Sequence, residues 1–234
     1  MIAKTSPASV GILMLETGFP RILGDIGNRN TWPFPVRYGV VHGATADKAI
    51  YDDPRALAQA FIEAGRELVR QGCAGITTSC GFLSLLQDEV KDALGVPVAT
   101  SSLMQVPLIQ RLLPTGREVA ILTISPDNLT PAHLHAAGIE QEIPVMGTDP
   151  QGSFCQTILT DAPDLDIAAC QQDLIRAAKA LLLAYPKTGA IVLECTNMAP
   201  YSQAIQKQTG LPVYSIYNFI TWFQSGLSPR RGGP

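Results

Sequence analysis

The sequence predicts an α/β fold of two duplicated lobes, each a mainly parallel sheet flanked by helices, with a functional cleft between them. Three observations predict it. Short aliphatic runs alternate with helix-period segments along the chain, the runs are nearly free of charge, and an ordered set of matches recurs at an almost constant offset. Strands of a parallel sheet are covered on both faces, so they read as continuous apolar runs. Strands that alternate with helices define the α/β class.

The elements follow in order. Residues 10–15, 74–77, 96–99, 119–124, 190–193 and 213–216 are the aliphatic runs. Asp53-Pro54 opens a helix with a cap and a first-turn proline; Leu57, Phe61, Leu68 and Val69 form its apolar stripe, and Gly72 closes it. Asp164 or Asp166 opens a second helix that carries Ile167, Leu174, Ala178 and Leu182 until Pro186 stops it. Further helices follow Cys80, over residues 81–94, and Cys195, over about residues 200–209.

The duplication is read from particular residues. Gly95-Val96-Pro97-Val98 returns 115 residues later as Gly210-Leu211-Pro212-Val213, and the same offset carries Cys80 onto Cys195 and Ile76 onto Ile191. Val10, Ile12 and Leu13 match Val119, Ile121 and Leu122 at an offset of 109, which Pro35-Val36 and Pro144-Val145 share. Each half reads strand, loop, strand, helix, strand, cysteine, helix, strand. The expected division is a first lobe over residues 1–103 completed by 214–228, a second lobe over 104–213, and a disordered tail over 229–234.

Composition narrows the function. Apolar residues make up 46% of the chain and charged ones 16%, which describes a globular protein with a large aliphatic core. A net charge of −3 excludes a basic nucleic-acid surface. The longest apolar runs are too short for a bilayer, and the N-terminus lacks a signal-peptide core, so the expected location is the cytoplasm. Five cysteines without a C-x-x-C pair fit neither a disulfide framework nor a zinc ribbon. No metal or other cofactor is expected.

Cys80 and Cys195 carry the chemistry. A cysteine after a buried strand is ordinarily a small packing residue, and Cys73, Cys155 and Cys170 are read that way. Cys80 and Cys195 differ because they occupy equivalent positions and sit in small, polar surroundings, Ser79-Cys80-Gly81 and Cys195-Thr196-Asn197. Ligands of parallel sheets bind beyond the carboxyl ends of the strands, so a pseudo-twofold arrangement faces the two thiols across one cleft. A thiol on each side of a carbon acid can remove a proton and return one to the opposite face. The helix that each cysteine precedes is expected to favour its thiolate. Backbone N–H groups of Gly81, Phe82, Thr196 and Asn197 are expected to hold a substrate carboxylate. Ser79 joins these as a pocket residue, and Ser125 is a candidate by symmetry. The polar segment 28–31 reads as a surface loop.

With these residues the chain resembles the aspartate/glutamate racemase superfamily, cofactor-independent enzymes that include aspartate, glutamate and hydantoin racemases. Leu193-Glu194-Cys195-Thr196 is similar to the family's second cysteine motif, Thr78-Ser79-Cys80 stands in place of the first, and Leu15-Glu16-Thr17-Gly18 looks like the acidic–hydroxyl–glycine turn of glutamate racemases. The resemblance implies paired flavodoxin-like lobes, a homodimer, substrate contact by Thr17, and tuning of the first thiol by Glu16. Two departures point away from aspartate and glutamate: Gly81-Phe82 replaces Asn-Thr after the first cysteine, and Asn197 stands where glutamate racemase has histidine. The expected function is racemisation or isomerisation of a small carboxylate-bearing compound by Cys80 and Cys195. The alternatives are a maleate-isomerase-like or arylmalonate-decarboxylase-like enzyme using one cysteine, and a two-lobed binding protein without catalysis.

Overall fold

The computed structural model describes residues 8–228. In the first half β1 (Ser9–Leu15) leads through a long loop to β2 (Val36–Val41), followed by α1 (Ala46–Tyr51), α2 (Ala58–Arg70), β3 (Cys73–Thr78), α3 (Gln87–Leu94), β4 (Val98–Ala99) and α4 (Val106–Leu112). The second half runs β5 (Glu118–Thr123), α5 (Pro131–Ala136), β6 (Val145–Gly147), α6 (Ser153–Leu159), α7 (Ile167–Ala184), β7 (Thr188–Leu193), α8 (Ser202–Thr209), β8 (Val213–Tyr214) and α9 (Ile216–Leu227). The result is two four-stranded parallel sheets, ordered β2-β1-β3-β4 and β6-β5-β7-β8. Even the irregularities repeat: the β1–β3 register shifts after Ser9, and the β5–β7 register shifts after Glu118. The tail read over residues 229–234 lies outside the described residues.

The central strands β1, β3, β5 and β7 are buried almost throughout, as their uninterrupted aliphatic runs require. The outer strands β2 and β6 are only partly buried. That is why neither stands out as an apolar run, although their opening Pro-Val pairs mark them through the repeat. Residues 96–99 and 213–216 shorten to the two-residue strands β4 and β8, and Ile216 opens α9 instead.

The repeated Gly-x-Pro-Val has a physical meaning. Gly95 and Gly210 end α3 and α8 in the left-handed conformation, at φ 65° and 69°, which glycine adopts without Cβ strain. Two residues on, the carbonyls of Pro97 and Pro212 accept from Ile76 and Ile191 and start the next strand pairing. The helix opened by Asp53 begins with a 3-10 turn, Pro54–Leu57, before α2, with the Asp53 carboxylate accepting from the Arg55 N–H. Asp166, not Asp164, caps α7 by accepting from the Ala169 N–H.

Each half lends its last helix to the other. Gln110 of α4 accepts from the Val119 N–H of β5, while Phe223 and Leu227 of α9 pack over Gly75 of β3. The halves are thereby tied, and the C-terminal ends of β1, β3, β5 and β7 converge. Among the described residues no helix is long and apolar enough to cross a membrane.

Candidate active site

Cys80 and Cys195 each leave a buried strand by one residue and open a 3-10 turn, Gly81–Leu86 and Thr196–Tyr201, that runs on into α3 and α8. The two side chains line one cavity between the lobes. Its walls are apolar on most sides, formed by Leu15, Phe19, Phe82, Ile124 and Ile158. Its polar groups are Thr17, Arg21, Ser79, Glu194 and Asn197. At about 20 Å³ it holds about one water molecule, so a larger ligand enters only when a wall moves.

The wall formed by the loop after β1 is clasped across the cleft. The Asp161 carboxylate, just beyond α6, accepts from the N–H groups of Gly18 (2.7 Å) and Phe19 (3.0 Å). Asp161 has φ 54°, the only positive value for a non-glycine among the described residues. The same loop supplies Arg21. Its guanidinium donates to Asp25 (3.1 Å) and Thr17 (2.7 Å) and lies 4.2 Å from the centre of the Phe19 ring. Asp25 in turn accepts from the Asn197 amide at 2.8 Å, and Asn197 Oδ1 receives the Cys195 S–H at 3.6 Å. A polar chain therefore joins the first-lobe loop to the second-lobe thiol.

Sequence and structure differ at several candidates. Glu16 faces solvent and holds His42 Nδ1 and the Gly43 N–H, so it does not tune Cys80. The carboxyl that acts on both thiols is Glu194, wholly buried at the end of β7. Thr196 turns away from the cavity and donates to the Ser79 carbonyl at 2.6 Å, a bond between the lobes. Ser125 accepts from Asn128 outside the cavity. Gly81 lines no part of the cavity; its missing side chain makes room for the Glu194 carboxyl. Ser79, Phe82, Asn197 and Thr17 do line the cavity, with Phe82 backed edge-on by His133 at 5.2 Å.

The expectation that helix starts would favour thiolate is also corrected. Burial, reinforced by the charge of Glu194, pushes the Cys80 thiol up to about 12, although the N–H groups of Phe82 and Leu83 pull the other way. Burial and Glu194 raise Cys195 well above the ordinary thiol range too. Burial pushes Glu194 itself up to about 7, opposed by its Thr123 hydrogen bond and the Ile124 N–H. Desolvation outweighs the local dipoles because the carboxyl is wholly buried and both sulfurs are nearly so.

That carboxyl links stability to pH. An unfolded glutamate releases its proton near 4.5, whereas folded Glu194 keeps its proton up to about 7. Between those values the folded state binds more protons, so Glu194's contribution is present below 4.5 and is lost as pH rises through 7. The expected loss is ~3 kcal/mol. Urea unfolding at pH 5 and pH 8 checks it, with Glu194→Gln expected to remove this part of the slope.

No protein-family model matches the sequence. Among solved structures the chain superposes on arylmalonate decarboxylase with a TM-score of 0.62 at 18% identity, covering 96% of this chain and 94% of that one. It superposes on allantoin racemase from Klebsiella pneumoniae with a TM-score of 0.63 at 20% identity, covering 93% and 87%. The fold is therefore that of the aspartate/glutamate/hydantoin racemase superfamily. Sequence kinship is narrower: the chain is 31% identical to dimethylsulfoniopropionate lyase 7 of Emiliania huxleyi over 241 residues, 96% of this chain and 69% of that protein. The chain belongs to the family of these lyases.

Neither Glu194 nor Arg21 stands among the sequence-derived candidates. The available signal for Glu194 was its position, the residue before Cys195 and the equivalent of Ser79. Arg21 had none beyond its nearness to Thr17.

Proposed function

We propose that this protein is a lyase that eliminates dimethyl sulfide from dimethylsulfoniopropionate or a closely similar β-sulfonio carboxylate. The observation that carries this reading is the 31% identity to a lyase of that name along almost the whole chain. The cavity's chemistry supports it. A cysteine thiolate takes a proton from the carbon next to the carboxylate, that C–H electron pair becomes the new double bond, and the C–S electrons leave with neutral dimethyl sulfide. The products are acrylate, dimethyl sulfide and one proton. Phe82 and Phe19 give the cavity an aromatic lining that suits a sulfonium, which carries charge but no hydrogen to donate, although Arg21 already covers one face of Phe19. Leu15, Ile124 and Ile158 suit its methyl groups, and Arg21, which also holds Asp25 and Thr17, is the one cation among the described residues lining the cavity.

A second reading is a two-thiol racemase acting on a small carboxylate. It is favoured by one observation: both thiols of the duplicated halves line the same cavity. Both readings begin with deprotonation of a carbon acid and part afterwards. Proton NMR in deuterium oxide separates them, using dimethylsulfoniopropionate, both enantiomers of aspartate and glutamate, allantoin and a hydantoin. Vinyl protons of acrylate from the first substrate support the lyase. Loss of an α-proton signal from another, without new products, supports the racemase. Binding without either would leave a two-lobed binding protein. The same reading has the enzyme work as a homodimer in the cytoplasm, the former checked by light scattering.

A further inference from the structure

The cavity poses a problem that its cysteines do not solve. Both thiols are held protonated by burial, yet carbon-acid chemistry needs one of them as thiolate. A group beside them must take the proton.

Among the described residues Glu194 is the one carboxyl lining the cavity. It is 0% exposed, its Oε2 accepts from the Thr123 hydroxyl at 2.8 Å, and its Oε1 has no hydrogen-bond partner. A buried carboxylate oxygen without a donor is costly and asks for a reason. The duplication sharpens the point, because Ser79 is the equivalent residue of the first half. There the hydroxyl accepts from the Leu15 N–H at 2.8 Å, and that completes its work. In the second half Glu194 meets the matching Ile124 N–H and still carries an oxygen that the fold does not use. That oxygen lies against Gly81, where a Cβ would stand 2.2 Å from it. Glu194 is thus bonded to Cys195 through the chain and packed on the neighbour of Cys80.

We infer that Glu194 is the proton acceptor that ionises Cys80, making Cys80 the base of the site. Cys80 is the better partner of the two. The Phe82 and Leu83 N–H groups and Arg21 all favour its thiolate, whereas Cys195 has the Asn197 N–H in its favour, gives its S–H to Asn197 Oδ1 and has Asp25 near. The other groups facing Glu194 are accounted for: Arg21 is paired with Asp25, and Thr123 donates to Oε2. The step balances. The Cys80 S–H proton passes to Oε1, directly or through one water that the cavity has room for, leaving thiolate and a neutral carboxyl. On the lyase reading, which this last part rests on, the thiolate regains a proton from substrate as dimethyl sulfide leaves. Glu194 then holds the one proton that each turnover releases until solvent takes it.

The test needs no substrate. Iodoacetamide alkylation of Cys80 and Cys195 is followed by peptide mass spectrometry from pH 5.5 to 9.5, in wild type, Glu194→Gln and Thr123→Val. In wild type, Cys80 alkylation is expected to rise through a limb near pH 7 and level off. In Glu194→Gln the levelling-off disappears: with no carboxylate to take the proton or to oppose the thiolate by its charge, the rate goes on climbing with pH and passes that of wild type by pH 8. Thr123→Val keeps the carboxyl but removes the bond that favours its charge, so the limb moves up by about one pH unit; this variant decides if Glu194→Gln does not fold. An unchanged Cys80 profile in both folded variants overturns the inference, as does a limb carried by Cys195 alone. With dimethylsulfoniopropionate, Glu194→Gln is expected to lower kcat about 10²-fold or more at nearly constant KM. Lyase turnover with unchanged alkylation profiles would sink the inference and keep the function. Shifted profiles without lyase turnover would keep the inference and sink the function.

Discussion

Cys80→Ser is expected to lower turnover about 10³-fold, and Cys195→Ser to lower it at least tenfold less, measured as dimethyl sulfide release with dimethylsulfoniopropionate. A serine hydroxyl occupies nearly the same place as the thiol but is a far weaker acid, so neither Glu194 nor the Phe82 and Leu83 N–H groups can make it an effective base. The asymmetry follows from the surroundings. Cys80 has three groups that favour its thiolate, whereas Cys195 has one, the Asn197 N–H, and its proton is held by Asn197 Oδ1. Elimination needs one base, since dimethyl sulfide leaves neutral. Racemisation needs a group on each face, so equal losses in the two variants would speak for the two-thiol reading. A larger loss at Cys195 would move the base to that side of the cavity.

Gly81→Ala is expected to destabilise the protein by about 3 kcal/mol or more, a size reserved for a short list of mechanisms of which overpacking is one. The added Cβ would lie 2.2 Å from Glu194 Oε1 and 2.5 Å from the Glu194 carbonyl oxygen. The carboxyl is anchored by Thr123, and the carbonyl is backbone held by the Ser102 hydroxyl, so neither can step aside cheaply. Because Gly81 belongs to the first lobe and Glu194 to the second, the strain falls on the joint between them. Thermal unfolding followed by circular dichroism measures the loss. Gly226→Ala is the control: it sits in α9 with nothing near its Cβ position, and alanine suits a helix interior better. Equal melting temperatures in the two variants would refute the close packing at Gly81.

Much of the fold was legible because its causes are local. The Gly-x-Pro-Val pair marks two helix stops and two strand starts, and both roles depend on backbone conformation that glycine and proline themselves impose. The aliphatic runs identify the central strands because full burial leaves no room for polar alternation. The outer strands were legible only through the repeat, since a half-covered strand carries no such run.

The site divides along the same line. Position after a buried strand, repeated at an offset of 115 residues, was enough to select Cys80 and Cys195, because the end of a parallel strand is where the fold places ligands. Sequence by itself thus determined the duplicated two-sheet fold and which two cysteines meet at one cavity. Only tertiary structure decided how deeply the two thiols are buried and which carboxyl lies beside them. Glutamate is ordinarily exposed, and nothing in Leu193-Glu194-Cys195 says that this one is sealed between lobes. Glu16 made the opposite impression, standing in a familiar turn yet facing water. The physical reason is that desolvation is set by every atom that excludes water around a group. Those atoms come from Phe19, Phe82, Ile124 and Ile158, residues far apart in the chain that meet only when both halves close on one another.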